Sequence, residues 1–305
     1  MMEEIRERYM NPYTDFGFKK IFGTENNKEC LISFLNALLD KPQNGDLIDD
    51  VEYMNTEKFG NQIGDRKAIF DIYCKTRSGD RFIVEMQKDS QNFFKDRSIY
   101  YSTFPIQEQA QKGDWNYELS AVYTVGVLNF NFEEGETNYH HEVKLTDLES
   151  KCVFFDKLTF IYLEMPKFNK TEAELETMMD KWLFVLKNMS KFLEKPKSLQ
   201  EKVFNKLFCV AEISNFSRNE RFDYEESLKV YRDMNNVLNS AKENSRKEGI
   251  EIGMEIGLAK GIEKGLLEGE KQERLKNAQK LKSLGVEVEI IMQATGLARE
   301  EIDLL

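Results

Sequence analysis

The chain has 305 residues, enough for two domains or for one domain with appendages. Charged residues make up 32% of it and the formal net charge is −11, so its overall field does not attract nucleic acid, and any DNA contact has to come from a local basic patch. No stretch approaches the ~18 uninterrupted apolar residues of a membrane span, and Met1 to Arg8 lacks the apolar run of a secretory signal.

In chain order, Pro12, Asp15 and Gly17 predict a turn, and Cys30 to Leu39 a helical face ended by Pro42 and Gly45. Residues 49–59, 68–75 and 81–87 read as strands. Asp89 to Lys112 has helical spacing, with Arg97 and Tyr101 one turn apart, and Pro105 is expected to kink or break it. Leu119 to Phe130 is a nearly continuous apolar strand, as in a sheet covered on both faces. The only two histidines, His140 and His141, fall in a segment that reads as a polar loop. Adjacent residues on a strand point to opposite faces, so no two-histidine metal site and no histidine triad is expected. A further strand, Leu158 to Leu163, ends at Pro166. Residues 1–168 thus read as one α/β core, with helices around a mixed sheet. Thr171 to Asn239 reads as helical throughout, and its apolar stripes around Trp182 and Phe204 are core material, so residues 169–240 form a helical region packing on the core. The scattered cysteines, Cys30, Cys74, Cys152 and Cys209, form no CxxC pair and are expected to be buried thiols in a reducing cytoplasm.

The tail differs in kind. Gly249, Gly253, Gly257, Gly261, Gly265 and Gly269 recur at every fourth residue, followed at the same interval by Ile250, Met254, Leu258, Ile262 and Leu266. Each mid-helix glycine costs about 1 kcal/mol relative to alanine, so six cost roughly 5 kcal/mol in a lone helix. A second surface lying close against the glycine row would offset that cost. Residues 241–273 are therefore read as a self-association helix that crosses its copy along one ridge, the other reading being a flexible, partly helical linker. Residues 274–305 read as a small module of short helices. The turn at Thr295-Gly296 resembles a helix-turn-helix joint, but Glu287, Glu289, Glu300, Glu301 and Asp303 make poor neighbours for a phosphate backbone.

The chemistry is carried by a hairpin. Ile69 to Cys74 and Arg81 to Gln87 flank the turn-forming Ser78-Gly79-Asp80, and a hairpin symmetric about residue 78 sets Asp71 opposite Glu85, with Gln87 on the same face. Two carboxylates so placed repel, and a divalent cation would turn that repulsion into a ligand set. A solvated hairpin face with chance acids is the alternative.

Several segments occur together in order: Thr14-Asp15-Phe16-Gly17-Phe18-Lys19-Lys20, Asp71, Ile83-Val84-Glu85-Met86-Gln87, Arg97, Tyr100-Tyr101, Val125-Gly126-Val127-Leu128, Glu164-Met165-Pro166-Lys167-Phe168, and the glycine-repeat tail. Together they resemble the Rpn-type recombination-promoting nucleases, also labelled putative transposases, of the PD-(D/E)XK nuclease superfamily. The resemblance implies a restriction-endonuclease-like α/β core and a DNA endonuclease that hydrolyses phosphodiester bonds with Mg²⁺, or Mn²⁺ in its place. It makes Asp71 and Glu85 metal ligands, lets Asp15 add a carboxylate, and puts Gln87 where the superfamily pattern has lysine. Glutamine donates and accepts hydrogen bonds but carries no charge, so Lys88 and Arg97 become the candidates for phosphate contacts, with Gln87 orienting the attacking water. No proline precedes Asp71. The rival expectation is a catalytically weak or inactive nuclease scaffold, acting through residues 249–269 as an oligomeric DNA-binding or regulatory partner. Strand transfer by a transposase proper lacks a third well-spaced acid.

Overall fold

The computed structural model describes residues 7–39, 47–58, 68–90, 93–110, 113–132 and 135–305. Pro42 and Gly45, read above as ending a helix, lie outside the described residues. The chain divides into two compact units, residues 1–232 and 233–305.

In the first unit, the expected turn around Asp15 is the opening of helix α1, Asp15–Phe22. Thr14 caps it: its extended backbone precedes the first turn and its hydroxyl accepts the Gly17 N–H at 3.0 Å. Gly17 fits because a Cβ there would lie 2.3 Å from the Asn11 carbonyl oxygen. Helix α2, Lys28–Leu38, buries Cys30, Leu31, Phe34, Leu35 and Leu38, which share one face at helical spacing.

Among the described residues eight strands follow: β1 (Val51–Tyr53), β2 (Glu57–Lys58), β3 (Ala68–Ile69), β4 (Ile72–Thr76) and β5 (Arg81–Gln87), then helix α3 (Phe94–Gln107) and strands β6 (Val122–Leu128), β7 (His140–Thr146) and β8 (Val153–Glu164). Six form a mixed sheet in the order β1-β4-β5-β6-β8-β7, while β2 and β3 pair separately. The centre, β5-β6-β8, is parallel, and β1, β4 and β7 are antiparallel to their neighbours. Helices α4 (Met178–Asn188) and α5 (Lys202–Ala211) complete the side of α1 and α2. Trp182, fully buried, packs there against Phe22, Phe34 and Phe204, and its indole N–H donates to Ser33 Oγ at 3.1 Å. Helix α3 covers the opposite face through Phe94, Tyr101 and Phe104. This is the α/β arrangement expected of a restriction-endonuclease-like core.

Five expectations need correction. The segment 68–75 is two strands, broken at Phe70-Asp71, because Asp71 takes a backbone N–H that a continuing ladder would use. The 171–239 segment is interrupted between helices, where residues 193–201 are irregular around Pro196. Pro105 lies inside α3, which runs two residues beyond it, since near a helix end only the last turn loses a donor. His140 and His141 open strand β7 rather than lying in a loop. His141 Nε2 sits 2.7 Å from Glu164 Oε1, and Lys167 Nζ 2.8 Å from Glu164 Oε2, so a buried carboxylate ties the edge strand to the end of β8. Of the thiols, Cys30 and Cys74 are buried, but Cys152 and Cys209 are exposed.

Helix α6, Arg218–Ser283, carries the glycine row. In the second unit all six glycines are exposed, and a Cβ built on any of them meets nothing within 4 Å. Helices α7 (Val288–Thr295) and α8 (Arg299–Asp303) close over Ala278, burying Ile291, Leu297 and Ile302. Gly296, in the left-handed conformation at φ 69°, ends α7. Among the described residues no helix is long and apolar enough to cross a membrane.

Candidate functional site

The register of β4 on β5 pairs Ile72 with Val84, Tyr73 with Ile83, Cys74 with Phe82 and Lys75 with Arg81, each pair centred on Ser78. One step further along, Asp71 faces Glu85. Asp71 Oδ2 accepts the Met86 N–H at 2.8 Å, and the Asp71 N–H donates to Glu85 Oε1 at 3.3 Å. The backbone thus clasps one oxygen of each carboxylate. The second oxygen of each takes no hydrogen bond from the described residues.

Both side chains keep a little accessible surface but are largely enclosed. Burial raises the Asp71 pKa, and Asp15 adds to the rise, while the Met86 N–H, Lys19 and Lys88 oppose it. Burial, then the adjacent Asp71, pushes Glu85 up to about 8, against the pull of the Asp71 N–H, Arg97 and Lys19. Such a pair resists carrying two negative charges unless a cation joins it. The oxygen donors suit a hard divalent ion, and two carboxylates are what Mg²⁺ takes from a protein when water and phosphate complete its shell. Among the described residues no group of three or more His, Cys, Asp or Glu is arranged to hold a metal. What fits Mg²⁺ in Asp71 and Glu85 is their oxygen donors and the repulsion that a cation would relieve.

The other expected residues gather around this pair in different ways. Asp15 and Lys88 line a cleft of about 180 Å³ together with Thr14, Phe18, Asp71 and Met86. Asp15 is there at the start of α1, but its carboxylate is paired with Lys19 at 2.9 Å. Gln87 is buried with both amide ends engaged: Oε1 accepts from the Arg97 guanidinium, and Nε2 donates to the Asp89 carbonyl at 3.3 Å. The Arg97 guanidinium in turn lies against the rings of Phe94 and Tyr101, 5.2 and 5.6 Å from their centroids. Gln87 thus holds Arg97, which lines one small space together with Glu85, and both ends of its own amide are already engaged.

Sequence reasoning missed Lys19 and Thr14. The signal for both was in the Thr14-to-Lys20 segment, because Lys19 falls one helical turn after Asp15 once Thr14 is read as a cap. A larger cavity of about 760 Å³ lies at the turn end of the hairpin, lined by Ser78, Asp80, Asp114, Trp115, Glu118 and Lys157 among others. Its acidic walls suit a phosphate poorly, and the carboxylate clasp is at the far end of β5.

The sequence pattern of the PD-(D/E)XK nuclease family transposases matches residues 12–241, which takes in α1, the whole sheet and the start of α6. No curated protein and no solved structure matches the chain.

Proposed function

The chain belongs to the PD-(D/E)XK nuclease family transposases, and from that premise we propose that it is a Mg²⁺-dependent DNA endonuclease. The observation that carries this is the clasp of Asp71 and Glu85, two enclosed carboxylates, each with one oxygen presented away from its backbone partner. Asp71 and Glu85 would hold Mg²⁺ or Mn²⁺. When bound, the ion neutralises charge on the phosphate and makes water a stronger nucleophile at neutral pH. Lys88, on the wall of the cleft, would pair with a backbone phosphate. Arg97, fixed by Gln87 and two aromatic rings, would supply positive charge next to Glu85, a task for which residue 87 itself has no charge. Residues 249–269 would associate two or more copies, closing the exposed glycine and apolar rows against each other.

Cleavage of supercoiled plasmid, with Mg²⁺ and with EDTA, tests the reading. Wild type should nick only with Mg²⁺. Asp71→Ala should lose at least ~10²-fold in rate with its fold unchanged. Equal nicking by Asp71→Ala would remove Asp71 from the mechanism. The internal engagement of the Gln87 amide favours a second reading, a nuclease scaffold of little or no activity that binds DNA as an oligomer. Its signature is DNA binding without cleavage in the same assay.

A further inference from the structure

Strand β7 closes one side of the six-stranded sheet, and no described strand pairs with its outer side. It is held firmly from within. The Glu164 N–H donates to the Tyr139 carbonyl at 2.8 Å, and the Glu164 carboxylate lies 2.7 Å from His141 Nε2. The first of these bonds also fixes which backbone groups face outward. Tyr139 stands one step before the His140–Leu163 pair, opposite Glu164, so the two form a hydrogen-bonded pair of the ladder. In an antiparallel ladder such pairs alternate with non-bonded ones. His141 and Val143 therefore aim their N–H and C=O groups at β8, while His140, Glu142 and Lys144 aim theirs away from the sheet. The ladder is regular through Lys144 and shifts register only beyond it.

These outward groups sit in a sequence that is complementary to itself. Glu142 and Lys144 share a face, where their side chains meet at 2.6 Å. Between them Val143 is 47% exposed, and Leu145 beyond them is 48% exposed. We propose that β7 is an interface between two copies of this chain, paired antiparallel about Val143 so that the two sheets continue into one. That register sets Glu142 of each copy opposite Lys144 of the other and Val143 against Val143. It also makes Glu142–Lys144 a hydrogen-bonded pair, which is what their outward N–H and C=O groups require. The neighbouring registers that use the same groups are worse, because centring on 142 opposes two glutamates and centring on 144 opposes two lysines. Lysine on an edge strand ordinarily guards against such pairing; here each lysine meets a glutamate. The alternating charges of β7 balance, so the strand suits its own copy better than a phosphate backbone. This contact is separate from the glycine row and does not depend on the nuclease reading.

The test is sedimentation velocity of the full chain, with a disulfide to locate the contact. Glu142→Lys opposes two lysines and Lys144→Glu opposes two glutamates, so each alone should associate through this edge at least ~10-fold more weakly. An equimolar mixture of the two restores opposite charges and should associate as wild type does, as should the chain carrying both changes. Val143→Cys, combined with Cys152→Ser and Cys209→Ser to remove the exposed thiols, should form an intermolecular disulfide under mild oxidation, because a non-bonded antiparallel pair lies within disulfide range. Adding Glu142→Lys should suppress that disulfide. Association through the glycine row alone would not join residue 143 of two copies, so the two contacts are told apart. Single variants that associate as wild type does, a mixture no better than either alone, or no disulfide at residue 143 would each overturn the proposal. Single variants that lose retention on DNA while the disulfide still forms would make β7 a nucleic-acid surface instead, which overturns it as well.

Discussion

Glu85 couples the site to stability. In the metal-free protein it holds its proton up to about pH 8, while the unfolded chain releases it near the ordinary 4.5. Between those values the native state binds more protons than the unfolded state, so stability falls as pH rises. The contribution is complete below about pH 4.5 and gone once the pH passes about 8. Calorimetry in EDTA should therefore show a melting temperature that drops between about pH 5 and about pH 8, and Glu85→Gln should flatten that slope. Saturating Mg²⁺ should restore stability most at the alkaline end, where the carboxylate is already deprotonated. A slope unchanged by Glu85→Gln would mean that the carboxylate is better solvated than its surroundings indicate.

At the scale of elements, the joint between the first turn and α1 is tightly built. Gly17→Ala would drive a methyl group to 2.3 Å from the Asn11 carbonyl oxygen, so it should destabilise the first unit by roughly 2 kcal/mol or more, despite the better helix propensity of alanine. Denaturant unfolding measures this directly, and a neutral or stabilising result would show that the Asn11 turn shifts freely. The same joint shows why some elements were legible in the sequence and others were not. Strand β5 and the register of its hairpin could be read because a turn with a definite centre fixes which residues face each other. Strand β6 could be read because burial on both faces leaves an apolar run. The start of α1 reads as a turn because Asp15 and Gly17 are turn residues in isolation; the Thr14 cap and the close approach to Asn11 are what fit them to a helix. Strand β7 was missed because an exposed edge strand needs no apolar alternation, and its anchor, Glu164, is distant in sequence. Of the candidate site, the facing of Asp71 and Glu85 was legible because it is local to one hairpin. Gly126 comes opposite Glu85, and Tyr162 opposite Gly126, only through parallel pairing, which no short-range pattern announces.

At the scale of the whole molecule, the exposed glycine row makes a sharp expectation. Replacing Gly257 and Gly261 together by leucine should raise helix content, because each glycine costs about 1 kcal/mol. It should also weaken the self-association proposed for this row, because leucine keeps two backbones apart. Sedimentation and circular dichroism on the same samples separate the two effects; undiminished association would place the contact elsewhere. A different feature governs how the molecule comes into being. Tyr9 bridges Glu212, the Met10 N–H donates to the Ala211 carbonyl at 2.9 Å, and the N–H groups of Asn11 and Phe16 are held by the Tyr224 and Ser227 hydroxyls at 2.9 and 3.2 Å. The segment leading into Thr14 and Asp15, which wall the cleft, is therefore fastened by residues made some two hundred positions later. A growing chain on the ribosome can form the Asp71–Glu85 hairpin early, but cannot complete the cleft wall until Ser227 has emerged. If the chain is the endonuclease proposed above, that order leaves its cleft unfinished through most of its own synthesis.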